Sequence, residues 1–148
     1  MTPSPDPQPI VVVHDGGQRF IAQVRSHQVI MDQPRHAGGA DTGPMPTELL
    51  GVSLGTCIAL YVTRFLEARD LPREGMRVEV EQVSAKNPSR VSHFVARVVL
   101  PAPLPPGYGE MLEHVVHACP AHNTLAQGSK VQVFIDIPAA TTVLPGCS

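Results

Sequence analysis

The chain has 148 residues and a mass of 15.8 kDa, which fits one domain because single domains usually run to about 100–200 residues. Its 43% hydrophobic and 16% charged residues give a globular composition and argue against a disordered chain. A net charge of −2, with four Phe, two Tyr and no Trp, argues against nucleic-acid binding, because that function needs basic patches and stacking aromatic rings.

The N-terminal part of the chain predicts a tail followed by three strands. Proline occupies positions 3, 5, 7 and 9 and disfavours helix around itself, so residues 1–9 are predicted to form a flexible tail. The single domain is then predicted to occupy residues 10–148. Strand patterns follow at residues 10–13, 20–24 and 27–31, with a turn at Gly16-Gly17 between the first two. The Gly- and Pro-containing residues 33–44 are predicted to form a loop.

A long helix is predicted from residue 47 to about residue 69, because apolar side chains recur at intervals of three and four residues. These side chains are Leu50, Leu54, Ile58, Tyr61 and Phe65. Thr47 is a candidate for the helix cap. Apolar residues continue around most of the helix surface, so we expect it to be buried for much of its length. Its uncharged run, 49–63, has 15 residues, fewer than the ~20 needed to span a bilayer.

The second half of the sequence predicts a hairpin, a helical region and a last strand. Residues 76–81 and 91–100 have strand patterns joined by a turn. Helical segments are predicted at 110–118 and 121–127, on either side of Cys119-Pro120, because proline is favoured at a first helical position. A last strand is predicted at 131–135. With the two helical segments counted as one region, the order is β-β-β-α-β-β-α-β, which indicates an α+β fold.

The three cysteines, Cys57, Cys119 and Cys147, are too few and too scattered for a disulfide scaffold. No basic segment followed by an apolar run opens the sequence, so secretion is not indicated. We therefore expect a soluble cytoplasmic protein whose thiols are reduced. Cys147 is the penultimate residue, and we interpret it as incidental.

Two of the cysteines are candidates for thiol chemistry. Cys119 is predicted to lie near a helix N-terminus, whose unpaired N–H groups lower the pKa of a thiol. Cys57 is predicted to lie inside an apolar helix, where a thiol needs a nearby cation in order to ionise. Arg19, beside the glycine turn, or another arginine would have to supply that cation. The alternative is that Cys57 is a small residue of the hydrophobic core.

Other sites remain open from the residues alone. The side chains of His114, His117, Cys119 and His122 can bind metals, but Pro120 divides them between two segments and no Cys-x-x-Cys pair is present. Solvated surface histidines are therefore expected rather than a zinc site. A Cys–His pair, as in a thiol hydrolase, is a further alternative, although nothing selects one of the seven histidines as the base. A carboxylate is favoured in the first turn of a helix, so Glu48 is expected to cap it.

The sequence around Cys57 resembles the signature of the OsmC/Ohr family of thiol peroxidases. That signature combines Pro-x-Glu-Leu-Leu, a run of small residues and Gly-x-Cys, and this chain has GPMPTELLGVSLGTC at residues 43–57. The segment CPAHNTL at 119–125 is similar to the family's second cysteine segment. Cys119 follows Cys57 by 62 positions, about the family's spacing. The predicted order of elements agrees with the family's fold from about residue 11 to residue 137.

The resemblance implies an intertwined homodimer that reduces organic hydroperoxides, with active sites at the subunit interface. It assigns Cys57 as the peroxidatic thiolate and Cys119 as the resolving thiol. The sulfenic acid of Cys57 would condense with Cys119 to a disulfide, and an external dithiol reductant, of lipoyl type in the family, would restore both thiols. We expect no metal, no bound cofactor, and neither a nucleic acid nor a membrane as partner.

The residues that would activate Cys57 depart from the family pattern. Members with peroxidase chemistry have an acid ten residues before the first cysteine, which holds the activating arginine. In this chain that position is Thr47, and Glu48, the candidate catalytic acid in its place, follows about 100° further around the helix. Arg19 resembles the activating arginine that follows a Gly-Gly turn. The remaining candidates are Arg25, Arg35 and Arg90. The alternative function is a non-catalytic stress or ligand-binding protein with the same fold.

Overall fold

A three-stranded antiparallel sheet opens the chain in the computed structural model, which describes residues 8–138. Its strands are β1 (Val11–His14), β2 (Phe20–Val24) and β3 (His27–Met31), in the order β1-β2-β3. The turn between β1 and β2 uses Gly16 and Gly17 at φ 95° and 54°, a backbone region that glycine enters without steric cost. The three predicted strands are confirmed, with β1 displaced by one residue. Most of the predicted N-terminal tail, and Cys147, lie outside the described residues.

The loop between β3 and the first helix is organised by Asp32, whose side chain is only 2% exposed. Its carboxylate accepts hydrogen bonds from the N–H groups of Gln33, Ala40 and Thr42 and from the Thr42 hydroxyl. The Thr42 N–H and then its hydroxyl are the main causes that lower the pKa of Asp32. A Cβ at Gly39 would overlap the Gln33 carbonyl. The predicted loop is thus confirmed, and these contacts hold it in one conformation.

Helix α1 (Pro46–Glu67) is the long helix that the sequence predicts. Its N-cap is Met45 and Pro46 takes the first helical position, so the expectation that Thr47 caps the helix is wrong. Glu48 provides the cap instead, because its Oε2 accepts a hydrogen bond of 2.7 Å from the Met45 N–H. The buried face of α1 comprises Gly51, Leu54, Ile58, Val62, Phe65 and Leu66.

The core of the domain lies between α1, a β-hairpin and two short helices. The hairpin pairs β4 (Arg77–Ala85) with β5 (Arg90–Val99), as predicted, although β4 extends further than the sequence pattern indicated. Helices α2 (Tyr108–His117) and α3 (Pro120–Gln127) follow, and α1 packs against β4, α2 and α3. The fold is therefore α+β with antiparallel sheets, as expected.

The predicted last strand at 131–135 is not formed. Residues 128–138 have no regular secondary structure, and the large apolar residues among them are 78–85% exposed. A strand needs a neighbouring strand edge to accept and donate its backbone hydrogen bonds, and no edge in the described part of the chain pairs with this segment. The described elements therefore run β-β-β-α-β-β-α-α.

Helix α1 is buried on one face rather than around its circumference. Leu50, Val52 and Leu60 on its other faces are 43%, 56% and 45% exposed, because the described chain supplies no second layer to cover them. Helix α1 is also long enough and apolar enough to cross a membrane. The uncharged run within it is shorter and did not indicate this. The core helix of a soluble protein passes the same test, and the buried face of α1 forms the core of this domain.

Candidate functional site

Cys57 and Cys119, which are distant in sequence, meet where α3 packs against α1. Cys57 lies in α1 and is partly buried, whereas Cys119 is 0% exposed and belongs to the buried core cluster against which Cys57 packs. Both thiols are free. Cys119 is the N-cap of α3 because Pro120, with no N–H and a fixed φ, begins the helix immediately after it. The predicted position of Cys119 at a helix start is confirmed.

The pKa of the Cys119 thiol is raised, which is opposite to the direction expected from a helix N-terminus. Burial is the largest cause, and the neighbouring Cys57 thiol adds to it. The N–H of His122 donates a hydrogen bond of 3.4 Å to the Cys119 Sγ and lowers the pKa, but not enough to offset burial. The expected lowering is therefore wrong, because loss of hydration outweighs the helix end for a thiol with no exposed surface.

An apolar cavity of about 430 Å³ opens beside Cys57. Its walls come from α1 and from the first residues of α3; they are Leu50, Ser53, Cys57, Pro120, Ala121, Thr124 and Leu125. A second cavity, of about 610 Å³, shares Leu50 and Leu125 with the first and is also lined by His122 of α3 and by Arg90 and His93 of β5. Apolar side chains therefore surround Cys57, and cationic or titratable side chains line the adjoining cavity.

Glu48 lies on a different face of α1 from Cys57. The two residues are nine positions apart, which at about 100° per residue separates them by about 180° around the helix. Glu48 lines a groove of about 790 Å³ between α1 and β4, together with Gly51 and Gln82. This groove is larger than the two cavities near Cys57, but neither Cys57 nor Cys119 lines it, so its volume alone does not make it a site for thiol chemistry. The capping role expected for Glu48 is confirmed.

Arg19 is not brought to Cys57 within the described chain. Its Nε lies 3.0 Å from Asp15 Oδ2 in a partly exposed ion pair. This Nε is buried and forms no directed hydrogen bond among the described residues. Arg19 lines a small cavity of about 290 Å³ beside Asp32, separate from the two cavities near Cys57. Of the other candidate arginines, Arg90 lines the cavity adjoining that of Cys57.

The structure adds His122 to the neighbourhood of Cys119, a residue that the sequence reasoning considered only as a metal ligand. Its ring lies 5.0 Å from the ring of His117, measured between centroids. Within residues 8–138, no three His, Cys, Asp or Glu side chains are grouped to hold a metal ion. The sequence did contain a signal for this contact, because a residue three positions after an N-cap presents its N–H to the cap side chain.

Comparisons with known proteins relate this architecture to solved structures. Residues 38–134 match a family model described as OsmC-like protein. A Psychrobacter arcticus protein, named for an osmotic stress induced and detoxification response, has a TM-score of 0.71 at 23% identity, covering 78% of this chain and 85% of that chain. An OsmC like protein from Mycoplasma pneumoniae has a TM-score of 0.68 at 21% identity, with coverages of 80% and 86%.

A third structure, an organic hydroperoxide resistance protein from Elizabethkingia anophelis, has a TM-score of 0.52 at 17% identity, covering 79% of this chain and 87% of that chain. No curated protein sequence matches the chain. At these identities, the likeness to the three structures shows a common fold.

Proposed function

Since the chain belongs to the OsmC-like protein family, we propose that it reduces organic hydroperoxides to alcohols, with Cys57 and Cys119 as its redox-active thiols. The observation that carries this proposal is the meeting of two free thiols, from α1 and from the start of α3, beside an apolar cavity. The name of the Elizabethkingia anophelis structure, an organic hydroperoxide resistance protein, supports the same reaction.

In the proposed reaction, the Cys57 thiolate attacks the distal peroxide oxygen, the O–O bond breaks and the alcohol leaves after taking a proton. The sulfur of Cys57 is then a sulfenic acid. The Cys119 sulfur attacks it, so that an S–S bond forms, the S–O bond breaks and water leaves. An external dithiol of lipoyl type reduces the disulfide by two exchange steps and is itself oxidised. The proposed cycle uses no metal and no bound cofactor.

The walls of the Cys57 cavity favour alkyl hydroperoxides over hydrogen peroxide. Leu50, Pro120, Ala121 and Leu125 offer apolar surface next to the sulfur. Burying one CH₂ group of a substrate stabilises its complex by about 0.8 kcal/mol, which corresponds to roughly a fourfold gain in kcat/KM when the group is buried in the transition state. Hydrogen peroxide, which has no CH₂ group, gains nothing from these walls.

We further propose that the working form is a homodimer. The segment 131–137, the outer face of α1 and β1 all expose large apolar side chains, and a second copy of this chain would cover them. The proposed dimer also offers Arg19 a route to Cys57 across the interface, as the activating cation. Glu48 caps α1 through its bond to the Met45 N–H on the face opposite Cys57, so the proposal gives it a structural role and not that of a partner to the arginine. The reaction needs reduced thiols, so we propose a cytoplasmic location.

Turnover of tert-butyl hydroperoxide with dihydrolipoamide, in the wild type and in three Cys→Ser variants, tests the proposed function. We expect Cys57→Ser to abolish turnover, and Cys119→Ser to oxidise one thiol per chain without forming the internal disulfide. Cys147→Ser is the matched control and should retain the wild-type rate. Mass spectrometry of the oxidised wild type should show a Cys57–Cys119 disulfide. Full turnover by Cys57→Ser would overturn the assignment.

The second candidate function is a ligand-binding protein without an activated thiol. It is favoured by the ion pair that holds Arg19 at Asp15 rather than at Cys57. The rate at which iodoacetamide alkylates Cys57 at pH 7 separates the two functions, because only the thiolate reacts. An activated thiol should react at least tenfold faster than cysteine in an unstructured peptide, and Arg19→Gln should slow it while Arg25→Gln does not. A rate equal to that of the peptide would favour the non-catalytic protein.

A further inference from the structure

The fully buried Cys119 thiol has to lose a proton before it can attack Cys57. Its surface is 0% exposed, and its pKa is raised by burial and by the neighbouring Cys57. A buried thiol of this kind is mostly protonated at neutral pH, and the protonated form is a poor nucleophile. The resolving step therefore needs a base near Cys119, and bulk water has no direct access to the sulfur atom.

His122 is the titratable residue that the fold fixes against Cys119. Its backbone N–H donates to the Cys119 Sγ at 3.4 Å, because the two residues are the N-cap and the third residue of α3. The Nδ1 of its ring is buried and has no hydrogen-bond partner among the described residues. Buried polar atoms are normally paired, so a buried, unpaired ring nitrogen on the residue whose N–H contacts the buried thiol calls for an explanation.

Other titratable or charged groups face the same region from each element packed against it. The ring of His117, in α2, lies 5.0 Å from the His122 ring. Arg90 and His93, in β5, line the cavity that His122 also lines. From α1, Cys57 and Tyr61 pack against the buried cluster that contains Cys119, as does Tyr108 of α2. Of these groups, only His122 combines a hydrogen bond to the Cys119 sulfur with a free ring nitrogen.

We propose that His122 accepts the thiol proton of Cys119 in the resolving step. With its own proton at Nε2, the neutral ring presents a lone pair at Nδ1. The Cys119 proton moves to this nitrogen as the Cys119 sulfur attacks Cys57, and the hydroxide that leaves Cys57 takes this proton from the His122 ring and departs as water. His122 then returns to its neutral form. The inference rests on the proposed function, in which Cys119 resolves oxidised Cys57.

The test replaces the peroxide with 4,4′-dithiodipyridine, so that the role of His122 is measured without peroxidase activity. The reagent converts Cys57 to a mixed disulfide and releases one thiopyridone. Cys119 then attacks the Cys57 sulfur and releases a second thiopyridone, which takes up the thiol proton. The rate of this second release, followed by absorbance from pH 5.5 to pH 9, reports the deprotonation of Cys119. Cys147→Ser is the background, and Cys119→Ser should abolish the second release.

We expect the rate of the second release in the Cys147→Ser protein to rise with pH and then level off below pH ~8.5, where a free thiol ionises. His122→Asn and His122→Gln should lower the rate about tenfold or more at pH 7, and the rate should then rise about tenfold per pH unit, as it does when attack depends on spontaneous thiol ionisation. The first release should be unchanged. His114→Asn and His117→Asn are the matched controls. In both variants the rate of the second release should still rise with pH and then reach a level region, in which it no longer depends on pH.

Three results would overturn the proposal. One is a rate that climbs through pH 9 without a level region in the protein that retains His122. Another is a pair of His122 variants with the rate and pH profile of the parent. The third is slowing by the same factor at every pH, which is the result of a purely structural role. Loss of peroxide turnover alone, with the level region present, would count against the proposed function and leave the proton acceptor supported.

Discussion

Oxidation of the Cys57–Cys119 pair should make the protein considerably harder to unfold. The disulfide would close a loop of about 62 residues, since the two cysteines lie 62 positions apart. In the chain-entropy model a loop of this length removes about 14 cal/mol/K from the unfolded chain, or about 4 kcal/mol at 25 °C. The two thiols are neighbours in the reduced structure, so little of this gain should be lost to native-state strain.

Urea unfolding of the reduced and oxidised proteins measures the difference. The Cys147→Ser protein excludes other disulfides, and one equivalent of diamide oxidises the pair. The free energies of unfolding should be compared at one chain concentration, because assembly contributes to stability. The slope m of the free energy against urea concentration should be fitted separately for each protein, because a cross-link reduces the surface exposed on unfolding. Cys119→Ser, treated with the same oxidant, is the control and should show no increase.

An oxidised protein that is equally or less stable than the reduced one would contradict this prediction, since the bridge would then have to distort the contact between α1 and α3. A gain of about 4 kcal/mol has a further consequence for the reductant. The reduction potential of the disulfide is then about 90 mV lower in the folded protein than in the unfolded chain, because about 30 mV corresponds to 1.4 kcal/mol for a two-electron couple. A dithiol that closes its own ring should therefore regenerate the protein much better than a monothiol at equal thiol concentration.

Two further predictions concern the structure around the site. Asp32→Asn should destabilise the protein at pH 7, and urea unfolding should show the difference from the wild type narrowing as the pH falls below about 4. The reason is that the pKa of Asp32 is lowered in the folded chain, so its contribution is present above the unfolded value and is lost as the pH falls through the folded value; a constant difference would contradict this. Gly51→Ala should change the free energy of unfolding little. Alanine favours the helix by about 1 kcal/mol relative to glycine, but its Cβ would displace the Gln82 amide. The 2.9 Å hydrogen bond from Gln82 Nε2 to the Thr47 carbonyl, worth about 1 kcal/mol, would then be lost. In a Gln82→Ala background the same substitution should stabilise by about 1 kcal/mol, and equal effects in both backgrounds would show that the two residues are not coupled.

The elements that the sequence predicted best are those whose signals are local. Strands β2 and β3 have the predicted bounds, because strand composition and the adjacent glycine turn act within a few residues. The start of α3 was predictable for the same reason, since Pro120 favours a first helical position. Thr47 was assigned as a cap from residue type alone, but Pro46 takes the first helical position and the N-cap is Met45, two residues earlier.

The predictions that failed depend on contacts between distant parts of the chain. The segment at 131–135 has the composition of a strand, but pairing requires an edge that the described residues do not offer. The helix N-terminus beside Cys119 suggested a lowered thiol pKa, but the packing of α3 on α1 buries the sulfur and raises that pKa instead. Sequence pattern specifies which residues are apolar, whereas the burial of one atom is set by the tertiary structure.

In the proposed function, the position of Arg19 connects the activation of Cys57 with the assembly of the protein. The sheet that carries Arg19 makes no extensive contact with α1 within the described residues, while β1 and the outer face of α1 both expose apolar side chains. Covering these surfaces is favourable by about 25 cal/mol per Å² of apolar area. In the proposed homodimer, the same burial would bring the guanidinium-bearing sheet of one copy towards the thiol-bearing helix of the other. Activation would then be a property of the assembled protein, so that a separated chain would keep both thiols but lose the cation that ionises Cys57.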